Sequence, residues 1–316
     1  MYSYENYDKV KADIEKRRLS AIAEADRRNE ELRENSAEIR IIDEELTGTG
    51  FKIFKAACSG EDITPIKERN LALCATRRKI IKELGYPEDY TEVKYSCSDC
   101  SDSGFLPSGK MCHCFKEALI RETVAASGMG NLLDTQSFDN FELDWYRDDG
   151  DTYAKMSAVV RQAKDYVRDF GEKRENLLFV GPTGVGKTHL STAIAREIIN
   201  LGYDVIYDSV QNIINDFEDD KFRSGWGEKE EKSRKYLECD LLIIDDLGTE
   251  FTTQFSISCL YNLINTRQNR NLATVISTNY PLKDLSAKYE DRIFSRLIGK
   301  GTKVMVFHGR DKRLFR

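Results

Sequence analysis

Eight consecutive residues, Gly181-Pro182-Thr183-Gly184-Val185-Gly186-Lys187-Thr188, constrain this chain more than any other stretch. They fit G-x-x-x-x-G-K-[ST] without a mismatch, and their setting matters more than the string. Leu177-Leu178-Phe179-Val180 ahead of them is a short apolar run suited to a buried parallel strand. His189-Leu190-Ser191-Thr192-Ala193-Ile194-Ala195 behind them opens a helix. A loop between such a strand and helix turns backbone N–H groups and the positive helix end toward an anion. The glycines let the backbone approach phosphate, Lys187 is expected to reach the β- and γ-phosphates of ATP, and Thr188 to ligate Mg²⁺. His189 adjoins the same loop and is counted with the nucleotide-binding residues.

Four further apolar runs follow the strand pattern: Val205-Ile206-Tyr207, Leu241-Leu242-Ile243-Ile244, Thr274-Val275-Ile276-Ser277 and Lys303-Val304-Met305-Val306-Phe307. Helical segments separate them, which predicts an α/β core with a parallel five-stranded sheet. A helix is also expected around Met156 to Phe170. Asp245 and Asp246 close the third run, where Asp245 would hold Mg²⁺ and Asp246 would orient the attacking water. Asn279, at the end of the fourth, can sense the γ-phosphate or serve only as the turn residue before Tyr280-Pro281.

The chain has 316 residues, enough for two domains, and the front of it reads differently. Over the first ~46 residues Val10, Ile14, Ile22, Leu32, Ile39, Ile42 and Leu46 recur at helical spacing amid charge, so a long amphipathic helix with one break is expected. Thr47-Gly48-Thr49-Gly50 is expected to end it. A second helix should start at Thr64 as N-cap, with Pro65 at the first helical position, and stop at Gly85. This hairpin either binds a partner or packs on itself. Cys97-Ser98-Asp99-Cys100 and Cys112-His113-Cys114 then bring four thiols together at a spacing that encloses Zn²⁺. Asp102-Ser103-Gly104 and Ser108-Gly109 supply the turns, and a closed four-Cys shell is structural. His113 alternates with its neighbouring cysteines and should point away. Cys58, Cys74, Cys239 and Cys259 lack partners and read as small core residues. Phe115 to Gln136 reads as a connecting stretch.

No run is apolar enough to span a bilayer and no signal peptide is visible, so a cytoplasmic protein without membrane contact is expected. The net charge of -6 argues against a protein that coats nucleic acid, but not against a local basic groove.

Taken together, the residues resemble the AAA+ ATPases of the DnaC/DnaI helicase-loader type and their relative, the IstB transposase helper. The resemblance covers roughly 138–316. It is carried by Thr135-Gln136-Ser137-Phe138-Asp139-Asn140-Phe141, the phosphate loop, Leu242-Ile243-Ile244-Asp245-Asp246-Leu247-Gly248, Ser277-Thr278-Asn279 and Asp291-Arg292-Ile293-Phe294-Ser295-Arg296-Leu297. It implies two domains: 1–130, helical, zinc-binding and in contact with a replicative helicase hexamer, and 131–316, the AAA+ ATP-binding domain. Phe138 and Phe141 become candidate adenine-pocket residues, or a hydrophobic staple for the next helix. Arg292 and Arg296 share a helix face. The resemblance makes Arg296 a finger reaching a neighbouring subunit's ATP, and hence implies self-association or an AAA+ partner; an exposed, salt-bridged arginine is the alternative.

Two departures stand out. Asp246 occupies the place where most AAA+ proteins carry Glu, and the tail beyond Phe307 leaves no room for the usual helical lid. The lid's sensing arginine is therefore sought in the tail, at Arg313, with Arg310 as the rival. Between the second and third strands, Phe217, Lys221, Phe222, Arg223 and Trp226 interleave aromatic and basic character suited to single-stranded DNA, among acids that equally suit a solvated helix. The function implied is ATP-dependent loading of a replicative helicase onto single-stranded DNA, with ATP hydrolysis at Lys187, Asp245, Asp246, Asn279 and Arg296. An IstB-like transposase helper and an ATP-bound clamp with little turnover are the alternatives.

Overall fold

The structure, a computed structural model, describes residues 2–59, 62–147, 150–222 and 231–311. The chain forms two compact units, one Lys9–Lys116 and the other Met1–Asp8 with Glu117–Arg316.

The first unit is helical. Helix α1 spans Tyr4–Asn35, α2 Ala37–Ser59 and α3 Thr64–Glu83. The expected break falls at Ser36, whose Oγ accepts the Ile39 N–H at 3.3 Å and starts α2. Leu32, Ile39 and Ile81 are fully buried together, with Ile80, Tyr86 and Tyr90 packed on them. Arg77 on α3 binds across the bundle, to Asp43 at 2.7 Å, Thr91 Oγ1 at 2.8 Å and Asn29 Oδ1 at 2.7 Å.

Thr47-Gly48-Thr49-Gly50 does not end the helix, because α2 continues through it to Ser59. Each helical glycine costs about 1 kcal/mol, but tertiary bonds hold the stretch. Thr49 Oγ1 accepts from Asn70 on α3 at 2.8 Å and donates to the Leu46 carbonyl at 2.9 Å. Thr64 is the first helical residue rather than the cap; Ile63 precedes it, and Asp62 Oδ1 receives the Thr64 N–H at 2.9 Å. Gly85 closes α3 with φ +87°.

The stretch read as a connection is helical: α4 spans His113–Ala126 and α5 Leu132–Thr135. Phe115, Leu119 and Thr123, four apart, are all buried.

The second unit is built on a five-stranded parallel sheet. Its strands are β1 Asn176–Val180, β2 Val205–Ser209, β3 Leu241–Leu247, β4 Ala273–Thr278 and β5 Thr302–Val306. Their order is β2-β3-β4-β1-β5, every pair parallel. The helices are α6 Thr152–Asp169, α7 Lys187–Asn200, α8 Val210–Phe222, α9 Arg234–Glu238, α10 Gln254–Asn269, α11 Leu282–Lys288 and α12 Asp291–Leu297.

Alternate strand residues feed opposite faces. Leu177, Phe179, Ile243 and Val275 join a core with α6 and α7, while Leu178, Val180, Leu242 and Ile276 join one with α8, α10 and α12. Because β4 lies between β1 and β3, the carboxyl ends of these three strands stand side by side. A crevice at such a point is where open parallel sheets bind ligands.

Candidate nucleotide site

Every element at that crevice is set by close approach. Gly184 and Gly186 adopt φ +76° and +90°, left-handed conformations that favour glycine. A Cβ on Gly186 would lie 2.9 Å from Phe141 Cε2, and one on Gly184 would overlap the Asp311 carboxylate. Tyr146 donates its hydroxyl to the Val185 carbonyl at 2.9 Å and so props the loop from below.

Lys187, at the start of α7, is 5% exposed. Its Nζ donates to the Gly181 and Pro182 carbonyls and to Asn279 Oδ1, each at 2.7 Å. The ammonium is thus already bent back over the loop, with Asn279, just past β4, among its side-chain contacts.

Asp245 is 7% exposed and is held by hydroxyls. Thr188 Oγ1 donates to its Oδ2 at 3.0 Å, Tyr207 OH to the same oxygen, and Ser277 Oγ to Oδ1. Burial first, and then the Asp245 charge, raise the Tyr207 phenol well above its ordinary pKa, so it stays a donor. The Thr188 hydroxyl and Asp245 carboxylate form a pair of hard oxygen donors that fits Mg²⁺. After Ile244 the β3–β4 register shifts, and Asp246 takes φ +56°. That left-handed turn, with its N–H on Ser277 Oγ at 3.0 Å, points the Asp246 carboxylate outward beside Asn279, whose Nδ2 lies 3.4 Å away.

Part of this set borders one cavity of about 490 Å³, with Asp245, Tyr207 and Ser277 outside its lining. Thr183, Gly184, Gly186, Lys187, Thr188, Asp246 and Asn279 line it together with Gln136, Asn140, Phe141, Trp145, Tyr146 and His189. A cradle of glycines, an ammonium and a magnesium-type oxygen pair at one end suits a triphosphate, and the volume beyond it suits a nucleoside.

The family model described as IstB-like ATP binding protein matches residues 141–306, just over half of the chain. The chain belongs to this family.

Among curated relatives of this family member, the replicative helicase loader DnaC of Escherichia coli K12 is 24% identical over 178 residues, covering 56% of this chain and 69% of the relative. The phage-like element PBSX protein XkdC of Bacillus subtilis is 26% identical over 216 residues, covering 63% of this chain and 77% of the relative. A solved DnaI structure aligns at 22% identity and TM-score 0.46, covering 59% of this chain and 95% of that one.

The other expected site residues divide. Phe141 lines the cavity, its ring stacked on Tyr146 and edge-on to His189 with centroids 6.1 and 5.1 Å apart. His189 Nε2 sits 2.9 Å from the Ser137 carbonyl and 3.0 Å from Asn140 Oδ1, which ties the segment before the core to α7. Phe138 is outside the lining. It packs on the core with Lys164 Nζ 5.6 Å from its ring centroid. Arg296 does not enter this chain's own cavity. It bonds Asn265 Oδ1 at 2.9 Å, Tyr261 OH at 3.1 Å and the Arg292 carbonyl at 2.9 Å, and stacks on the Tyr261 ring at 4.5 Å.

Arg313, Arg223 and Trp226 lie outside the described residues. Of the remaining aromatic and basic candidates, Phe217 stacks on Tyr236 with centroids 6.4 Å apart, while Phe222 is 65% exposed. Lys221 Nζ lies 4.8 Å from the Phe255 ring centroid.

In the helical unit, the sulfurs of Cys97, Cys100, Cys112 and Cys114 all lie within 4.8 Å of one another. Four converging thiols fit a tetrahedral Zn²⁺. Burial opposes ionisation of Cys100, but the Gly104 amide and the neighbouring thiols outweigh it and bring its pKa down to about 7. Asp102, absent from the sequence-derived ligand set except as a turn residue, braces the cluster. Its fully buried carboxylate accepts the Ser96 and Cys97 N–H groups at 2.8 and 2.9 Å and Arg17 at 2.6 Å. His113 opens α4 rather than lying in extended chain; its Nδ1 is 3.6 Å from Cys112 Sγ and 3.5 Å from Asp99. Cys239 and Cys259 are buried as expected, but Cys58 is exposed and Cys74 only half-buried, each on a bundle helix.

Sequence reasoning missed Tyr207, Ser277, Tyr146 and Gln136. Ser277 and Gln136 stand inside segments already singled out, and Tyr207 inside a strand run. Only the packed side chains show which hydroxyls reach the carboxylate: the register sets Ser209 opposite Asp245, but Tyr207, two residues earlier, and Ser277 on β4 supply the bonds.

Proposed function

We propose that this protein is an ATP-dependent loader of a replicative DNA helicase, in which the thiol-bearing helical part holds the helicase and the ATP-binding unit couples nucleotide and single-stranded DNA to its placement. One observation carries the reading. Relatives named replicative helicase loader match 56% of the chain, and the four-thiol cluster lies outside the 141–306 segment matched by the ATP-binding family.

In this reading bound Mg²⁺–ATP supplies the phosphoanhydride to be hydrolysed. Loop amides and Lys187 take the β- and γ-phosphates, which requires Nζ to leave the Gly181 and Pro182 carbonyls. Thr188 and Asp245 hold the ion. Asp246 and Asn279 would orient an attacking water, and Arg296 of a neighbouring subunit would stabilise charge on the transferring group. Hydrolysis is slow until DNA or the partner completes the site.

Co-purification of the full chain with a hexameric replicative helicase, with and without ATP, tests this. Binding is expected, with a nucleotide dependence that Lys187→Ala removes. Absence of binding under both conditions overturns the loader reading. The IstB-like family match favours one second reading, a transposase helper; capture of a transposase and no helicase in the same experiment replaces the first with it.

A further inference from the structure

Glu250, just past the end of β3, is outside the cavity lining and only 4% exposed. Burying a carboxylate is costly unless it is paired and hydrogen-bonded, and three groups meet this one. The Gly248 N–H donates to Oε2 at 2.8 Å, the Tyr289 hydroxyl donates to Oε1, and Lys288 Nζ stands 4.0 Å from Oε1.

These contacts converge on Gly248. Its N–H is held by Glu250 and its carbonyl by Lys288, the last residue of α11. Gly248 has φ +110°, and a Cβ there would lie 2.5 Å from two ring carbons of Tyr280, a close approach that favours glycine. Just upstream, the Asp246 carbonyl accepts the Thr249 N–H at 3.1 Å and the Thr249 hydroxyl at 2.9 Å. The Leu247 carbonyl accepts from Thr278 Oγ1 at 2.7 Å, and that hydroxyl in turn accepts the Tyr280 N–H at 3.1 Å. Asp246 therefore opens the clamped turn, and Asn279 lies between two residues, Thr278 and Tyr280, that rest on it.

We propose that Glu250 is a positioning residue for ATP hydrolysis: by fixing Gly248 it aims the Asp246 carboxylate and the Asn279 amide at the attacking water without touching the nucleotide. The inference rests on the ATPase reading above. What Glu250 supplies is an acceptor at a fixed point, so a carboxamide can stand in for it. The Gln oxygen accepts the Gly248 N–H, and its NH₂ donates to the Tyr289 hydroxyl. Alanine instead leaves the buried Gly248 N–H without its acceptor.

The kcat for ATP and the Mg²⁺–ATP affinity of the full-length protein, measured separately with single-stranded DNA present, test this. Glu250→Ala should lower kcat by about a hundredfold, the effect of a displacement near 1 Å at the reacting groups. Affinity should stay within about threefold of wild type, because Thr188 and Asp245 take none of their bonds from Glu250, Lys288 or Tyr289. Glu250→Gln should bring kcat back to within about threefold of wild type. A carboxylate that only stabilised the fold would lower the unfolding midpoint and leave kcat of the folded protein alone. Should Glu250→Ala not fold, Lys288→Met decides, because it frees the Gly248 carbonyl at a partly exposed side chain; kcat should fall by about tenfold with affinity kept. Unchanged kcat in the folded variants overturns the proposal, as does a parallel loss of affinity or a Gln variant no faster than the Ala one. If wild type binds ATP without hydrolysing it, the ATPase reading falls and this inference with it.

Discussion

Asp102→Asn probes the thiol cluster without touching a sulfur. Asp102 has φ +52°, a conformation that Asn tolerates as well as Asp, so the backbone should keep its path. The loss is electrostatic. Wild-type Oδ2 receives the Ser96 N–H, and Oδ1 receives the Cys97 N–H and Arg17. An Asn oxygen can serve one side only, and its NH₂ then faces a donor. Each bond to a charged acceptor is worth ~1.5–3 kcal/mol, while the Arg17 pair, 41% exposed on the arginine side, adds at most about 1. We expect a loss of about 3 kcal/mol in holding the Cys97 loop. Metal binding and folding of such a site are one equilibrium, so zinc affinity should fall by roughly a hundredfold. Competition with a chromogenic chelator at neutral pH reads this, with Cys97→Ser as the reference for a lost ligand. Burial raises the Asp102 pKa, but the two amides and Arg17 outweigh it and hold it below the usual carboxylate range. Its stabilisation is therefore complete above about pH 4 and lost as pH falls through the lowered value, so the deficit should be equal at pH 6 and pH 8. Zinc affinity within about twofold of wild type would show that the carboxylate does not hold the loop.

Three further outcomes are expected. Burial, then Asp240, raise the Asp204 pKa to about 6. The stability linked to its protonation is present below pH ~4 and lost as pH rises through that value, so Asp204→Asn should stabilise by up to about 3 kcal/mol at pH 8 and not at pH 4, read by thermal unfolding; equal midpoints at pH 8 would refute it. A Cβ on Gly48, exposed and helical, would meet nothing within 4 Å, so Gly48→Ala should gain about 0.5–1 kcal/mol in denaturant unfolding, and destabilisation would contradict the continuous α2. Mixing Lys187→Ala with Arg296→Ala, each inactive alone, should restore part of the ATPase if Arg296 acts in trans; no recovery at any ratio would leave its contacts with Asn265 and Tyr261 as its role.

The sheet was legible because its central strands β1, β3 and β4 are almost wholly buried and carry apolar runs; β2 and β5 at the edges are only partly buried, and the fifth run overshoots β5 by Phe307. The phosphate loop and the Asp245-Asp246 pair were legible because their chemistry is local in sequence. What was hidden depends on non-local contact. Gly48 and Gly50 read as a helix end because the signal is local, whereas the bonds of Thr49 come from α3. Arg267 gave no sign of being a core residue, yet it is fully buried and donates to the carbonyls of Ala273, Tyr236 and Cys239, joining β4 to the turn before β3. The pattern that singles out Asp245 likewise says nothing of the three hydroxyls on it.

Those hydroxyls make a last prediction that separates two roles for Tyr207. Its phenol and the Thr188 hydroxyl share Asp245 Oδ2, the oxygen a bound cation would also seek. If Tyr207 competes with the ion, Tyr207→Phe removes the competitor and leaves Thr188 and Ser277 to orient the carboxylate. The nucleotide-free protein should then lose about 1–2 kcal/mol, less than a lone charge-assisted bond because other donors remain. Saturating Mg²⁺–ATP should recover that loss, since ligand stabilisation grows as RT ln(1 + [L]/Kd) and removing the competitor should lower Kd by roughly 5- to 30-fold. If Tyr207 instead organises the site, Kd rises and the gap between variant and wild type widens with ligand. Thermal unfolding across a Mg²⁺–ATP titration distinguishes the two, and a widening gap refutes competition. The geometry favours competition, because Tyr207 is anchored from behind. Its N–H donates to the Ser127 carbonyl at 2.8 Å, and its own carbonyl would meet a Cβ on Gly128 at 2.6 Å. A phenol on so fixed a strand can release the carboxylate but cannot follow it to the ion.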